Sequence, residues 1–249
     1  MIDVSSPMAQ NIYDRPEFFA AYSQLPRSVR GLAGAPEWPV LQAMLPDLAG
    51  RRVVDLGCGF GWFARFARAG GAATVLGIDL SRNMLARAGE LTDDPAITYR
   101  HMDLERLELP EAAFDLAFSA LTLHYIVDLD RLAATVCRAL VPGADLVLSI
   151  EHPIYMASLQ PGWRAHPDGQ RTWPVDHYAV EGERRTDWLA QGVVKQHRML
   201  GTTLNTLIRA GFTIRQVEEW RPSPEQLRAQ PELLEEQDRP MLLLIAARR

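Results

Sequence analysis

A chain of 249 residues, 47% hydrophobic and 23% charged, is long enough for one or two domains with a sizeable core. Its net charge of −5 and pI near 5.7 argue against the basic footprint of a protein that grips nucleic acid or an anionic membrane. Two cysteines, no basic-then-apolar leader and no apolar run of membrane-spanning length predict a reduced, cytoplasmic protein.

Residues 1–10 read as a loose terminus. From Asn11 to Arg30 the pattern predicts two short helices broken at Pro16 and Pro26, with Phe18, Phe19 and Tyr22 on one aromatic face. That face either packs the helices onto the body or covers a ligand site. Trp38 to Leu48 reads as a helix closed by Gly50.

The stretch V-V-D-L-G-C-G-F-G from Val53 to Gly61 then reads as a buried strand, a glycine turn and the start of a helix running from Phe60 to Ala69. Glycines at 57, 59 and 61 let backbone N–H groups approach a ligand. Asp55, at the strand end, suits a cationic ligand better than a pyrophosphate. A second strand, Thr74 to Leu80, ends in Asp79, placed to accept hydrogen bonds from two ribose hydroxyls.

Ser81 caps a helix running to about Leu91, and Ile97 to Met102 reads as a third strand ending at Asp103 and Leu104. Phe114 to Ser119 is a fourth strand, followed by Leu123-His124-Tyr125. Asp130 to Leu140 reads as a helix, Val141-Pro142-Gly143 as a sharp stop and Asp145 to Ile150 as a fifth strand. Strands alternating with helices predict a parallel sheet with ligands at its carboxyl ends.

Residues 151–198 break the alternation and are rich in Trp, Pro, His and Gly. A stretch this long, entered from the ligand face, predicts a cap. Its aromatics, among them Tyr155, Trp173 and Tyr178, either wall a pocket or build a small core of their own. A helix from Met199 to Ala210, a strand from Phe212 to Trp220, a polar helix from Pro224 to Glu236 and a strand from Met241 to Ala247 complete the chain.

Together, V-V-D-L-G-C-G-F-G, G-I-D-L-S and L-V-P-G-A-D-L-V-L-S resemble motifs of the class I S-adenosylmethionine (SAM)-dependent methyltransferases, within a bacterial small-molecule group whose acceptors are mostly unassigned. The resemblance implies one doubly wound α/β domain over 1–249. Its parts are an N-terminal helical segment (1–50), a donor-binding core (51–150), a cap insertion (151–198) and a C-terminal part (199–249). It implies a seven-stranded sheet of order 3-2-1-4-5-7-6, the last strand antiparallel.

It further implies SAM as cofactor, S-adenosylhomocysteine (SAH) as its product, and donor contacts from Asp55, Gly57, Cys58, Gly59, Gly61, Asp79, Leu80, Met84, Asp103, Leu104 and Ser119. In the family the glycine turn holds the methionine part and the second acid the ribose. An acid at the place of Asp103 reaches the adenine amino group, and a residue at the place of Met84 covers an adenine face. Met84 serves equally as core filler.

Tyr13, Tyr22, Arg27, Tyr125, Tyr155, Trp173, Tyr178 and His197 are candidates to touch the acceptor or form the cap. His124 and His152 are candidate bases, because imidazole titrates near neutrality and a hydroxyl acceptor needs its proton removed. The expected acceptor is the oxygen or nitrogen of a small metabolite, with no nucleic acid, membrane or metal, in a monomer or homodimer. A SAM-binding protein without catalysis and an NAD-dependent oxidoreductase are the alternatives. Trp62 disfavours the second, since the dinucleotide fingerprint wants a small residue there.

Overall fold

The structure is a computed structural model that describes residues 10–249, so all of the expected loose terminus except Gln10 lies outside it. Its strands are β1 (Arg52–Leu56), β2 (Thr74–Asp79), β3 (Ile97–His101), β4 (Phe114–Ala120), β5 (Leu140–Glu151), β6 (Arg164–Ala165), β7 (Arg171–Thr172), β8 (Gly182–Trp188), β9 (Ala190–His197), β10 (Thr213–Glu219) and β11 (Leu242–Arg248). Its α-helices are α1 (Pro16–Tyr22), α2 (Pro26–Val29), α3 (Trp38–Ala43), α4 (Trp62–Ala69), α5 (Arg82–Glu90), α6 (Leu129–Ala139), α7 (Pro153–Met156), α8 (Leu200–Arg209), α9 (Pro224–Ala229) and α10 (Glu235–Asp238). Among the described residues no helix is long and apolar enough to cross a membrane.

Seven strands form one sheet in the order β10-β11-β5-β4-β1-β2-β3. β1 to β5 run parallel, and β11 lies antiparallel to both β5 and β10. This is the expected order, with β10 and β11 as the sixth and seventh strands. Side-chain alternation explains why helices cover both faces. Val54, Ala117, Leu146, Leu148, Leu243 and Ile245 pack toward α6 and α8, while Val53, Leu116, Phe118, Val147 and Leu244 pack toward α3 and α4. Phe63 of α4 stacks on Phe118 with ring centroids 3.5 Å apart.

Several boundaries differ from expectation, each for a local reason. Pro16 and Pro26 open helices α1 and α2 at the first helical position instead of interrupting them. Helix α3 stops at Ala43, short of Pro46. α4 begins at Trp62 because Gly61, left-handed at φ 70°, is its N-cap. Pro142 and Gly143 do not stop the chain ahead of β5 but lie within it. The ladder with β4 jumps from Phe114↔Leu140 to Leu116↔Asp145, and this irregularity absorbs the missing proline N–H and the positive φ of Gly143. The single helix expected over 224–236 is cut by Pro231 into α9, a 3-10 turn (Pro231–Leu234) and α10.

Within 151–198 the largest element is a hairpin of β8 and β9, turned at Leu189. Val193 of this hairpin packs against Ile12 and Phe18, so the N-terminal helices and the hairpin share a small apolar core. The Gln10 side-chain amide extends that contact, donating to Gly192 O (2.9 Å) and accepting from Val194 N (2.9 Å).

Candidate functional site

At the carboxyl end of β1 the chain turns through Gly57, Gly59 and Gly61, all at positive φ. The N–H groups of Gly57 and Cys58 donate to Ile78 O at 2.8 and 2.9 Å, which pins the turn to β2. A methyl group on Gly57 would lie 2.1 Å from Thr122 Oγ1, and one on Gly61 would lie 2.0 Å from the Tyr99 hydroxyl, itself bonded to Thr92. Gly59 faces open space instead. Gly61→Ala is therefore expected to lower stability by about 2–4 kcal/mol, from left-handed strain plus the collision with Tyr99. Urea denaturation checks it; an unchanged midpoint would show that neither the left-handed backbone nor the contact with Tyr99 opposes a methyl group there.

Two carboxylates face this turn. Asp79 is tied into it: Oδ2 accepts from Gly59 N (2.9 Å) and Oδ1 from Ser81 N (2.8 Å). Burial pushes its pKa up, and those N–H groups oppose the rise. Asp55 is 2% exposed, and its Oδ2 is buried with no partner among the described residues. Burial, then the neighbouring Asp79 charge, pushes Asp55 up to about 8.

Both acids line a cavity of about 1080 Å³, slightly more than the roughly 300–1,000 Å³ of a pocket for one drug-sized ligand. Cys58, Leu80, Met84, Asp103 and Leu104 line it too. Asp103 caps the 3-10 turn Leu104–Arg106 by accepting from Glu105 N (2.9 Å), while burial pushes the Cys58 thiol up. Ser119 is not brought into the cavity: it is fully buried, donating to Leu56 O at 2.9 Å, and so ties β4 to β1.

The N-terminal segment is fastened over the same region by Asp14, which sequence reasoning missed. Its Oδ1 accepts from Ser81 Oγ (2.6 Å) and Asn83 N (3.1 Å) at the start of α5. Neighbouring Tyr13 reaches the far side of the cavity, its hydroxyl 3.2 Å from that of Tyr125. Tyr22 and Trp188 complete this aromatic wall. Arg27 lines the cavity but forms a two-pronged pair with buried Glu37, at 3.0 and 3.3 Å.

The histidines call for correction. His124 lines the cavity and is 4% exposed. Its Nδ1 accepts from Glu151 N (3.2 Å), so the neutral ring carries its proton on Nε2 and has no free lone pair with which to act as a base. Burial, then Lys195 and Arg198, hold its pKa well below 6.5. The imidazole ¹⁵N spectrum is expected to show one Nε2-protonated neutral form throughout the range from about pH 6 to 8. A titration centred near neutrality would restore the base assignment.

His152 and His197 do not reach the cavity. His152 caps α7, its Nδ1 accepting from Ile154 N (3.0 Å) while Nε2 bonds Glu219 (2.9 Å). His197 Nε2 donates to Tyr178 O (2.8 Å), and the Tyr178 hydroxyl accepts from Leu200 N (3.1 Å), so both fasten β9 to α8 and away from the site. Tyr155 and Trp173 line the cavity, yet their faces are taken by Arg239, centred 4.7 and 4.4 Å from the two rings.

Two cavity residues were passed over in the sequence: Glu151, the last residue of β5, and Lys195 of β9. They form an ion pair with side chains 16% and 4% exposed. The strand-end rule that singled out Asp55 and Asp79 applies equally to Glu151, but histidine's pKa drew attention to its neighbour. Nothing in the local pattern marks Lys195.

A family model described as a methyltransferase domain matches residues 54–148. The crystal structure of an S-adenosylmethionine-dependent methyltransferase from Mesorhizobium loti superposes with a TM-score of 0.85 at 60% identity, covering 88% of this chain and 100% of that one. An uncharacterized protein of Haemophilus influenzae is 34% identical over 253 residues, 96% of this chain and 97% of that protein. A malonyl-[acyl-carrier protein] O-methyltransferase of Erwinia billingiae is 34% identical over 115 residues, covering 46% of this chain and 45% of that enzyme.

Proposed function

This chain belongs to the class I SAM-dependent methyltransferases, and from that premise we propose that it methylates an oxygen or nitrogen of a small molecule. The observation that carries the proposal is one continuous cavity. It runs from the acidic glycine turn, with Asp55 and Asp79, to an aromatic wall of Tyr13, Tyr22, Tyr125 and Trp188. The similarity to an O-methyltransferase over about half its length supports oxygen as one such acceptor atom.

The residues at the turn fit the donor. Partnerless Asp55 Oδ2 suits an α-ammonium, and the open space beside Gly59 admits a chain against backbone. In this reading Asp55 and the turn hold the methionine part, Asp79 the ribose, and Asp103, Leu80, Leu104 and Met84 the adenine. Bound there, SAM supplies an electrophilic methyl group on a sulfonium. The protein's own work is then positioning and water exclusion, with proton removal where the acceptor is a hydroxyl. Asp14, Tyr13 and Gln10 support a cap formed jointly by the N-terminal segment and residues 151–198, within one domain. Two free, buried cysteines, Cys58 and Cys137, support a cytoplasmic setting.

Incubation with methyl-labelled SAM and a fractionated metabolite extract tests the proposal. Label is expected in a small-molecule fraction, with a mass gain of one methylene. Label confined to protein or nucleic acid would overturn it.

A further inference from the structure

We propose that the Glu151–Lys195 pair is the seat of the acceptor and that it selects a neutral hydroxylated molecule over a carboxylate. The inference rests on the reading above and names the acceptor class within it. Lys195 Nζ donates to Glu151 Oε1. An ammonium has three N–H donors and a carboxylate two oxygens, and among the described residues this is the only hydrogen bond recorded for either charged group. Both residues line the cavity, and Glu151 Oε2 and the spare Lys195 donors are left with hydrogen-bonding capacity in hand.

Stability alone does not account for the pair. Desolvating two charges offsets most of their attraction, and apolar residues of equal volume commonly serve as well. A hydroxyl matches what is left over, because it donates to Glu151 Oε2 while accepting from Lys195. The Lys195 ammonium also sits 5.2 Å over the Trp188 ring, so the seat adjoins the aromatic wall where the body of a flat acceptor would rest.

Charge balance excludes the carboxylate. The two cations set back from solvent along the cavity are each matched: Lys195 with Glu151 and Arg27 with Glu37. Arg30 and Arg185 are exposed at the mouth, and Arg185 already bonds Glu183. An anion on the seat would confront Glu151 without a free buried side-chain cation to compensate it, and in the SAH-loaded protein no sulfonium offsets it either.

The full-length protein loaded with SAH provides the test, with 2-naphthol and 2-naphthoate as calorimetric probes. 2-Naphthol is expected to bind at least tenfold more tightly than 2-naphthoate. Because Lys195→Met alone would strand a buried carboxylate, the double variant E151Q/K195M is compared, its fold checked by thermal melting. It is expected to retain SAH affinity and to lose at least fivefold in 2-naphthol affinity. Tighter binding of 2-naphthoate, no binding of 2-naphthol by SAH-loaded protein, or 2-naphthol affinity unchanged in the double variant would each overturn the proposal. Failure of SAH itself to bind would instead strike the underlying methyltransferase reading, and this inference with it.

Discussion

Asp55→Asn is expected to stabilise the ligand-free protein near pH 8 while weakening its hold on the donor. The Asp55 carboxyl is buried, one oxygen lacks a partner, and Asp79 lies close by, so its pKa is pushed up to about 8. In the unfolded chain an aspartate ionises near about 3.9. Between those values the folded protein binds one proton more than the unfolded chain. The contribution is thus fully present below about pH 4 and is lost as pH rises through about 8. At about 1.4 kcal/mol per unit the loss approaches roughly 6 kcal/mol over the window.

Asparagine has no such window. Urea denaturation from about pH 5 to 8.5 should therefore show wild-type stability falling by several kcal/mol more than that of the variant. Parallel curves would mean that Asp55 is solvated or paired in the free protein. An ammonium placed beside Asp55 reverses the balance by favouring the carboxylate. SAH binding near pH 7 should then release close to one proton, read from calorimetric heats in two buffers, and Asp55→Asn should abolish that release.

This site shows where sequence patterns inform and where they fall silent. The parallel strands and the places of Asp55 and Asp79 were legible because strands buried on both faces read as apolar runs, and their carboxyl ends are where such sheets bind ligands. The sheet order, by contrast, was legible only through the resemblance of the motifs to a known family. The β8–β9 hairpin was not legible, because its inward residues include Arg184, Lys195 and His197. Those polar side chains defeat any period-two search for apolar positions, although burial and hydrogen bonds make them interior residues. His124 and His152 misled for a related reason. Residue type suggests a base, whereas the bond from Glu151 N and the capping of Ile154 N, which use up their Nδ1 atoms, belong to the backbone around them. The curtailed helix before Pro46 and the split at Pro231 were within reach of the ordinary proline rules.

Asp79→Ala is expected to reduce SAH affinity by roughly 10²–10⁴-fold. Each Asp79 oxygen already accepts one backbone N–H, from Ser81 and from Gly59, and keeps a second lone pair for a ligand. Two vicinal hydroxyls would use both. Hydrogen bonds to a charged group contribute about 1.5–3 kcal/mol each, and every 1.4 kcal/mol is about tenfold. Asparagine is not a rescue, because its amide NH₂ would face one of the two backbone N–H donors. Truncation also frees the Gly59 N–H, so a loss of affinity alone could come from a disturbed turn. A double-mutant cycle separates the two, pairing Asp79→Ala with a SAH analogue that lacks both ribose hydroxyls. If Asp79 holds the ribose, removing the hydroxyls weakens binding to the wild type strongly and to the variant hardly at all. If the two losses simply add, Asp79 shapes the turn and the ribose is held elsewhere.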